Sequence, residues 1–138
     1  MNMVDCILLI DDNVHDNFIH TRTINKIPAA KEVKTVTTGE EALEYLRLSK
    51  EHTEKYPVPN LIFLDINMPG MNGFDFLERA RQEGLFENSA PILVVMLTSS
   101  LNSDDQKMAS EQFSHEIKDF KNKPLTTEML TDLLKKYF

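Results

Sequence analysis

An α/β fold is predicted for this chain: a doubly wound, five-stranded parallel sheet flanked by five helices. Three observations predict it. Short apolar runs alternate five times with amphipathic stretches. Leu61–Leu64 and Ile92–Leu97 show no polar alternation, which suits strands covered on both faces. Parallel strands need long crossovers, and the amphipathic stretches between the runs supply helices for them. With 138 residues and 41% hydrophobic content, the chain suits one domain over residues 1–138 with one core.

The elements follow in order. Val4 to Ile10 is apolar except for Asp5 and reads as a buried strand. Asp12 to Ile27 is the first helix, with Phe18, Ile19, Thr23, Ile24 and Ile27 as its inward face and Pro28 marking its end. Glu32 to Thr37 alternates Val33, Thr35 and Thr37 against Lys34 and Val36, a weaker strand nearer an edge. Gly39 opens a second helix carrying Ala42, Leu43, Tyr45 and Leu46. The polar stretch from Leu48 to Asn60 extends that helix and then forms a surface loop. Leu61 to Leu64 is the third strand, and Met68 to Gly73 is dense in turn formers. Phe74, Leu77 and Ala80 give a third helical face that stops at Gly84. Ile92 to Leu97 is the fourth strand. Ser103-Asp104-Asp105-Gln106 has a capping-box pattern ahead of Met108, Ala109 and Phe113. Glu116 to Phe120 is a short fifth strand. The last helix begins near Thr126 and turns Met129, Leu130, Leu133 and Leu134 inward.

Charge and composition narrow the function. A formal net charge of −7 without a long Lys/Arg run argues against direct nucleic-acid binding. No apolar stretch approaches the roughly 20 residues needed to span a bilayer, and no basic segment precedes the first apolar run. The single cysteine, Cys6, sits in an apolar strand and reads as a core residue. No disulfide can form within the chain, so a cytoplasmic location is expected.

In a doubly wound sheet, ligands collect at the carboxyl ends of the strands. Asp11 and Asp12 follow the first strand, Asp65 the third, Thr98 the fourth and Lys123-Pro124 the fifth. Three carboxylates, a hydroxyl and an ammonium therefore converge on one sheet edge. Two like charges about 5 Å apart repel by roughly 3 kcal/mol at an effective dielectric near 20. A hard divalent cation relieves this, and an all-oxygen donor set suits Mg2+. A carboxylate beside Mg2+ and Lys123 is arranged to attack a phosphoryl group. Each piece alone has a plainer reading: Asp11-Asp12 as a helix cap, Asp65 as a turn residue, Thr98-Ser99-Ser100 as a polar loop, Lys123-Pro124 as a solvated turn. Their occurrence in order, each at a strand end, favours a site.

These residues resemble the receiver domain of two-component response regulators. Asp11-Asp12 is similar to the family's acidic pair, and Leu64-Asp65-Ile66-Asn67-Met68-Pro69-Gly70-Met71-Asn72-Gly73 to its phosphoacceptor segment. Leu97-Thr98-Ser99 resembles its hydroxyl followed by a small residue, and Phe120 with Lys123-Pro124-Leu125 its closing segment. Gly39 with Ala42-Leu43 fits its second helix. The resemblance implies a flavodoxin-like sheet of order 2-1-3-4-5. It implies a signalling switch of a phosphorelay rather than an enzyme, apart from Mg2+-dependent self-phosphorylation and self-dephosphorylation. Asp65 would accept a phosphoryl group from a sensor histidine kinase or a histidine phosphotransfer protein. Asp12, Asp65 and the backbone carbonyl of Asn67 would bind Mg2+, with Asp11 acting partly through water. Lys123 would pair with a phosphoryl oxygen, Thr98 would move inward to it with the Ser99 amide nearby, and Phe120 would swing in behind. Asn67 and Ser100 would tune hydrolysis. The Lys123-Pro124 peptide would be cis, an uncommon isomer even before proline. A downstream protein would read the face made by the fourth helix, fifth strand and fifth helix, with homodimerisation left open.

Some features depart from the commonest pattern. Phe120 stands where tyrosine is more usual, so no phenol hydroxyl reports the switch. The Leu48 to Asn60 segment is longer than in minimal receivers and resembles single-domain partners of phytochrome-type kinases. His15, His20, His52 and His115 read as surface residues. Other functions for this topology fit less well. An aspartyl phosphatase wants an acidic residue where Asn67 stands. A flavin carrier wants a phosphate loop where Asp11 and Asp12 would repel phosphate. A receiver excised from a longer regulator is less favoured, because the last helix closes at Tyr137-Phe138.

Overall fold

Hydrogen-bond register dictates the architecture. In the computed structural model, which describes residues 3–99 and 102–138, β1 (Val4–Ile10) pairs in parallel with both β2 (Ala30–Val36) and β3 (Leu61–Leu64). β3 pairs with β4 (Leu93–Thr98), and β4 with β5 (Ile117–Asn122), again in parallel. The strand order is β2-β1-β3-β4-β5, as expected. Five helices alternate with the strands: α1 (Val14–Asn25), α2 (Gly39–Glu51), α3 (Gly73–Gln82), α4 (Ser103–Gln112) and α5 (Thr127–Tyr137).

Strand side chains alternate between two apolar layers. Leu8, Ile10, Ile62, Leu64, Val94 and Met96 pack with Leu43 of α2, Phe76 of α3 and Ala109 of α4. Ile7, Leu9, Leu61, Phe63, Val95 and Leu97 pack with Ile24 of α1 and Leu130, Leu133 and Leu134 of α5. The three central strands are apolar and buried on both faces; β2 and β5 lie at the edges and are more polar and only partly buried.

Local boundaries differ from expectation where side-chain hydrogen bonds decide them. α1 starts at Val14 because the Asn13 side chain accepts from the Asp16 amide, leaving Asp12 outside the helix. α4 is capped by Asn102, not Ser103, since the Asn102 Oδ1 accepts from the Asp105 amide. α5 is capped by Thr126.

The inward face of α1 needs a larger correction. Phe18 is 60% exposed and Ile19 lies outward, whereas Asn17 and His20 join Thr23 and Ile24 on the buried side. His20 is therefore not a surface residue; His15, His52 and His115 are. Apolarity alone turns Phe18 and Ile19 inward, but α1 packs over the polar end of β1. There the Asn17 Nδ2 donates to the Asp11 carbonyl at 3.0 Å and the Val36 carbonyl at 3.2 Å. Two carbonyls at strand ends hold this position better than an apolar side chain would.

The later half of the long α2–β3 connection is tied to the core at two points. The Tyr45 hydroxyl donates to the Pro57 carbonyl at 2.6 Å, and the Asn60 Oδ1 accepts from the Asp5 and Cys6 amides. Tyr45→Phe deletes the first tie while keeping the buried ring. A loss of about 1 kcal/mol in urea unfolding is expected, and an unchanged midpoint would show that the tie contributes nothing.

Candidate phosphoryl-transfer site

Asp11, Asp65 and Lys123 are each the first residue past a strand and still belong to the ladder. The Asp11 amide donates to the Val36 carbonyl, the Asp65 amide to the Ile10 carbonyl at 3.0 Å, and the Lys123 amide to the Thr98 carbonyl at 2.8 Å. Parallel register thus brings residues 11, 65 and 123 to one edge without any fitting of their side chains. The turn after Asp65 is shaped by two glycines. Gly70 takes φ +78°, and a Cβ on Gly73 would lie 2.6 Å from the Asp65 carbonyl oxygen. The loop therefore folds tightly back beneath Asp65. The Lys123-Pro124 peptide is cis, as the resemblance implies.

Asp11, Asp12 and Asp65 each present a carboxylate oxygen within 4.8 Å of the others. Asp11 and Asp65 are buried, at 4% and 7% exposure, whereas Asp12 faces solvent. The Lys123 ammonium lies 2.6 Å from Asp11, 2.9 Å from Asp16 and 3.8 Å from Asp65. One Asp11 oxygen also accepts from the Asn13 amide at 2.9 Å.

The electrostatics follow from burial and crowding. Burial, then the Asp11 charge, lift the Asp65 carboxyl to about 6. Lys123 opposes the shift, Asp12 adds to it, and the Asn67 amide opposes it. Burial alone would lower the Lys123 ammonium. Its hydrogen bonds to Asp11 and Asp16 and the charges of Asp11 and Asp65 outweigh that, so its net shift is upward. Burial lowers the pKa of the His20 imidazole, disfavouring its protonated form. One ammonium thus serves several carboxylates, and the phosphoacceptor candidate is left under-compensated. An acidic, all-oxygen cluster in that condition fits a hard divalent cation.

The switch candidates stand one strand further along. Thr98 ends β4 with its side chain fully buried, on the same sheet face as Met96. Phe120 pairs in register with Met96 and Asn122 with Thr98, so Thr98 and Phe120 share the face covered by α3 and α4. Phe120 is half-buried against that core and borders a groove lined by Gln106, Ala109 and Ser110 of α4. Asn67 is exposed beside Asp65. Ser100 lies outside the described residues.

The deciding comparison is with family models: residues 7–135 match the response regulator receiver domain. This chain belongs to that family. The receiver is similar to a two-component response regulator from Cytophaga hutchinsonii, with 32% identity, a TM-score of 0.81, and coverage of 98% of this chain and 97% of that one. It is also similar to the phosphorylated cyanobacterial phytochrome response regulator RcpA, at 27% identity and a TM-score of 0.71 over 96% and 90% of the two chains. Two-component response regulator 24 of Arabidopsis thaliana is 29% identical over 94% of this chain and 81% of its own length. The receiver is thus a signal-transduction module of two-component systems, a switch rather than a conventional enzyme.

Sequence reasoning missed three residues around the receiver's site: Asp16, Asn17 and His20. Asp16 had a visible signal, since Asn13-x-x-Asp16 is a cap pattern. That pattern carries no hint of Lys123, 107 positions away.

Proposed function

We propose that Asp65 accepts a phosphoryl group from a phosphohistidine of a sensor histidine kinase or histidine phosphotransfer protein, switching the protein surface read by a downstream partner. The observation that carries this reading is the meeting of the Asp11, Asp12 and Asp65 carboxylates within 4.8 Å beside the Lys123 ammonium. A carboxylate oxygen of Asp65 attacks phosphorus, the P–N bond breaks, and the donor imidazole leaves with its electron pair. Asp12, Asp65 and the Asn67 carbonyl would hold Mg2+, with Asp11 acting through water; when bound, the ion neutralises carboxylate and phosphoryl charge. Lys123 neutralises a phosphoryl oxygen from the other side. Thr98 then hydrogen-bonds the added group and Phe120 follows it inward, favouring one of two surface states. The face of α4, β5 and α5, where Phe120 borders its groove, presents the result. Hydrolysis of the acyl phosphate ends the signal, with Asn67 and Ser100 as its tuning residues.

The donor is best received on α1. Val14 at 69% exposure, Phe18 and Ile19 form an apolar patch on the helix that overhangs the site. The long α2–β3 connection and the likeness to RcpA support a phytochrome-type kinase as that donor. We read residues 1–138 as one receiver domain acting in the cytoplasm. The Cys6 thiol, buried and raised to about 11, is inert there.

The test is incubation with acetyl phosphate or beryllofluoride and Mg2+, read by intact mass and by amide NMR. A single phosphoryl adduct mapping to Asp65, and shifts spreading from Thr98 to Phe120, are expected only when Mg2+ is present. Absence of adduct and shifts, or adduct formation in chelator, defeats the reading. Mg2+ alone should also stabilise the fold, by about 1.4 kcal/mol at ten times its Kd. An unchanged melting temperature across millimolar Mg2+ would count against the metal.

A further inference from the structure

We propose that Asp16 is a positioning residue of this site: a counter-ion that holds the Lys123 ammonium toward α1, so that a phosphoryl group on Asp65 must draw Lys123 away from it. The inference rests on the phosphoacceptor reading and adds a restraint to it.

Lysine has three N–H donors on a compact charge. Asp11 and Asp16 engage Lys123 at 2.6 Å and 2.9 Å, both hydrogen-bond distances. Asp65 stands at 3.8 Å, a contact of charge alone. The ammonium is therefore committed to the β1–α1 side of the site, and the group that needs it for chemistry has the weakest hold on it.

A plain helix-capping role does not account for Asp16. Three helices of this protein begin with the same pattern: Asn13-x-x-Asp16, Asn72-x-x-Asp75 and Asn102-x-x-Asp105. In all three the asparagine side chain accepts from the aspartate amide. In α3 the Asp75 carboxylate completes the box by accepting from the Asn72 amide at 3.1 Å. In α1 that return bond is replaced. The Asn13 amide donates to Asp11 instead, and the Asp16 carboxylate turns to Lys123. Asp11 thus frees Asp16 from local duty, and the two together grip one ammonium.

Phosphorylation changes the competition. The phosphoryl group puts close to two negative charges where the carboxylate carried one, and sets its oxygens within reach of Lys123, enough to pull the third N–H of Lys123 across and loosen its bond to Asp16. Part of the favourable Lys123–phosphoryl energy is offset by the lost Asp16 pair. Asp16 thereby lowers the affinity of the site for its phosphoryl group.

The experiment compares wild type, Asp16→Asn, Asp16→Ala and Asp16→Glu by beryllofluoride titration in excess Mg2+, with the Lys123 side-chain ammonium followed by NMR. Asp16→Asn and Asp16→Ala should bind the mimic more tightly, by roughly three- to tenfold for a half-buried ion pair, and Asp16→Glu should restore the wild-type value. The ammonium resonance should differ between wild type and Asp16→Asn without the mimic and converge once it is bound. Unchanged or weaker binding in both neutral variants overturns the proposal. So does tighter binding with an unmoved Lys123 resonance, which would mean bulk charge removal alone. A wild type indifferent to beryllofluoride defeats the phosphoacceptor reading instead. A responsive wild type with indifferent Asp16 variants defeats only the restraint.

Discussion

Asp65→Asn is expected to abolish phosphorylation by acetyl phosphate and, in metal-free buffer, to make the fold more stable. The two effects have one cause. The carboxylate needed for chemistry is buried beside Asp11, which raises it from 3.8 to about 6. Between those values the folded state binds a proton more readily than the unfolded state. The stability that Asp65 contributes is complete below about 3.8 and lost as pH rises through about 6. At neutral pH the wild type therefore holds an ionised group that its surroundings disfavour. Asparagine removes that charge at nearly constant shape. Discounted for the solvent that still reaches the site, the gain is about 1–2 kcal/mol near pH 7.5 and shrinks toward zero by about pH 4. His20 titrates with the opposite sign, because burial depresses it and folding resists its protonation. Both proteins carry His20, so the difference between them cancels it. Urea unfolding at several pH values with chelator present makes the measurement. Asp65→Asn less stable than wild type at neutral pH, or still phosphorylated, would contradict the assignment.

Lys123→Met should have the opposite effect on stability. The alkyl stem remains, but the ammonium that stands 2.6 Å from buried Asp11 is gone. Removing one partner of a buried pair leaves the other charge uncompensated, so a loss of about 3 kcal/mol is expected in metal-free buffer. A divalent cation can take over that compensation. Millimolar Mg2+ should therefore raise the melting temperature of Lys123→Met more than that of wild type. Equal responses would mean that Lys123 and the cation do not share the same carboxylates. Phosphoryl uptake should fall in this variant even with Mg2+ present, since Lys123 is the donor expected to meet the phosphoryl oxygen.

The β-strands were legible because their signals are local and redundant. Leu61–Leu64 was placed to the residue, since four consecutive apolar residues between polar segments have few alternatives. β2, β4 and β5 were offset by one or two residues, as ladder bonds, not hydropathy, end a strand. Helix α1 was misread because its buried face is polar. Asn17 and His20 face inward over the carbonyls and carboxylates at the end of β1, a surface that exists only after β1, β2 and β3 have paired. Apolarity, the only cue in the sequence, points Phe18 and Ile19 to the core, and they are exposed.

The alternation of strands and helices, and the placing of Asp11, Asp12, Asp65, Thr98 and Lys123 at strand ends, can be read from the residues in order, because they depend on short-range periodicity and on the polarity of parallel strands. Which carboxylates claim Lys123, that Asp65 holds it more weakly than Asp11 and Asp16, and which way α1 turns emerge only once the chain has folded. Those outcomes depend on ångström-scale distances between residues as much as 107 positions apart, where Coulomb and hydrogen-bond energies change steeply and no local pattern carries the information.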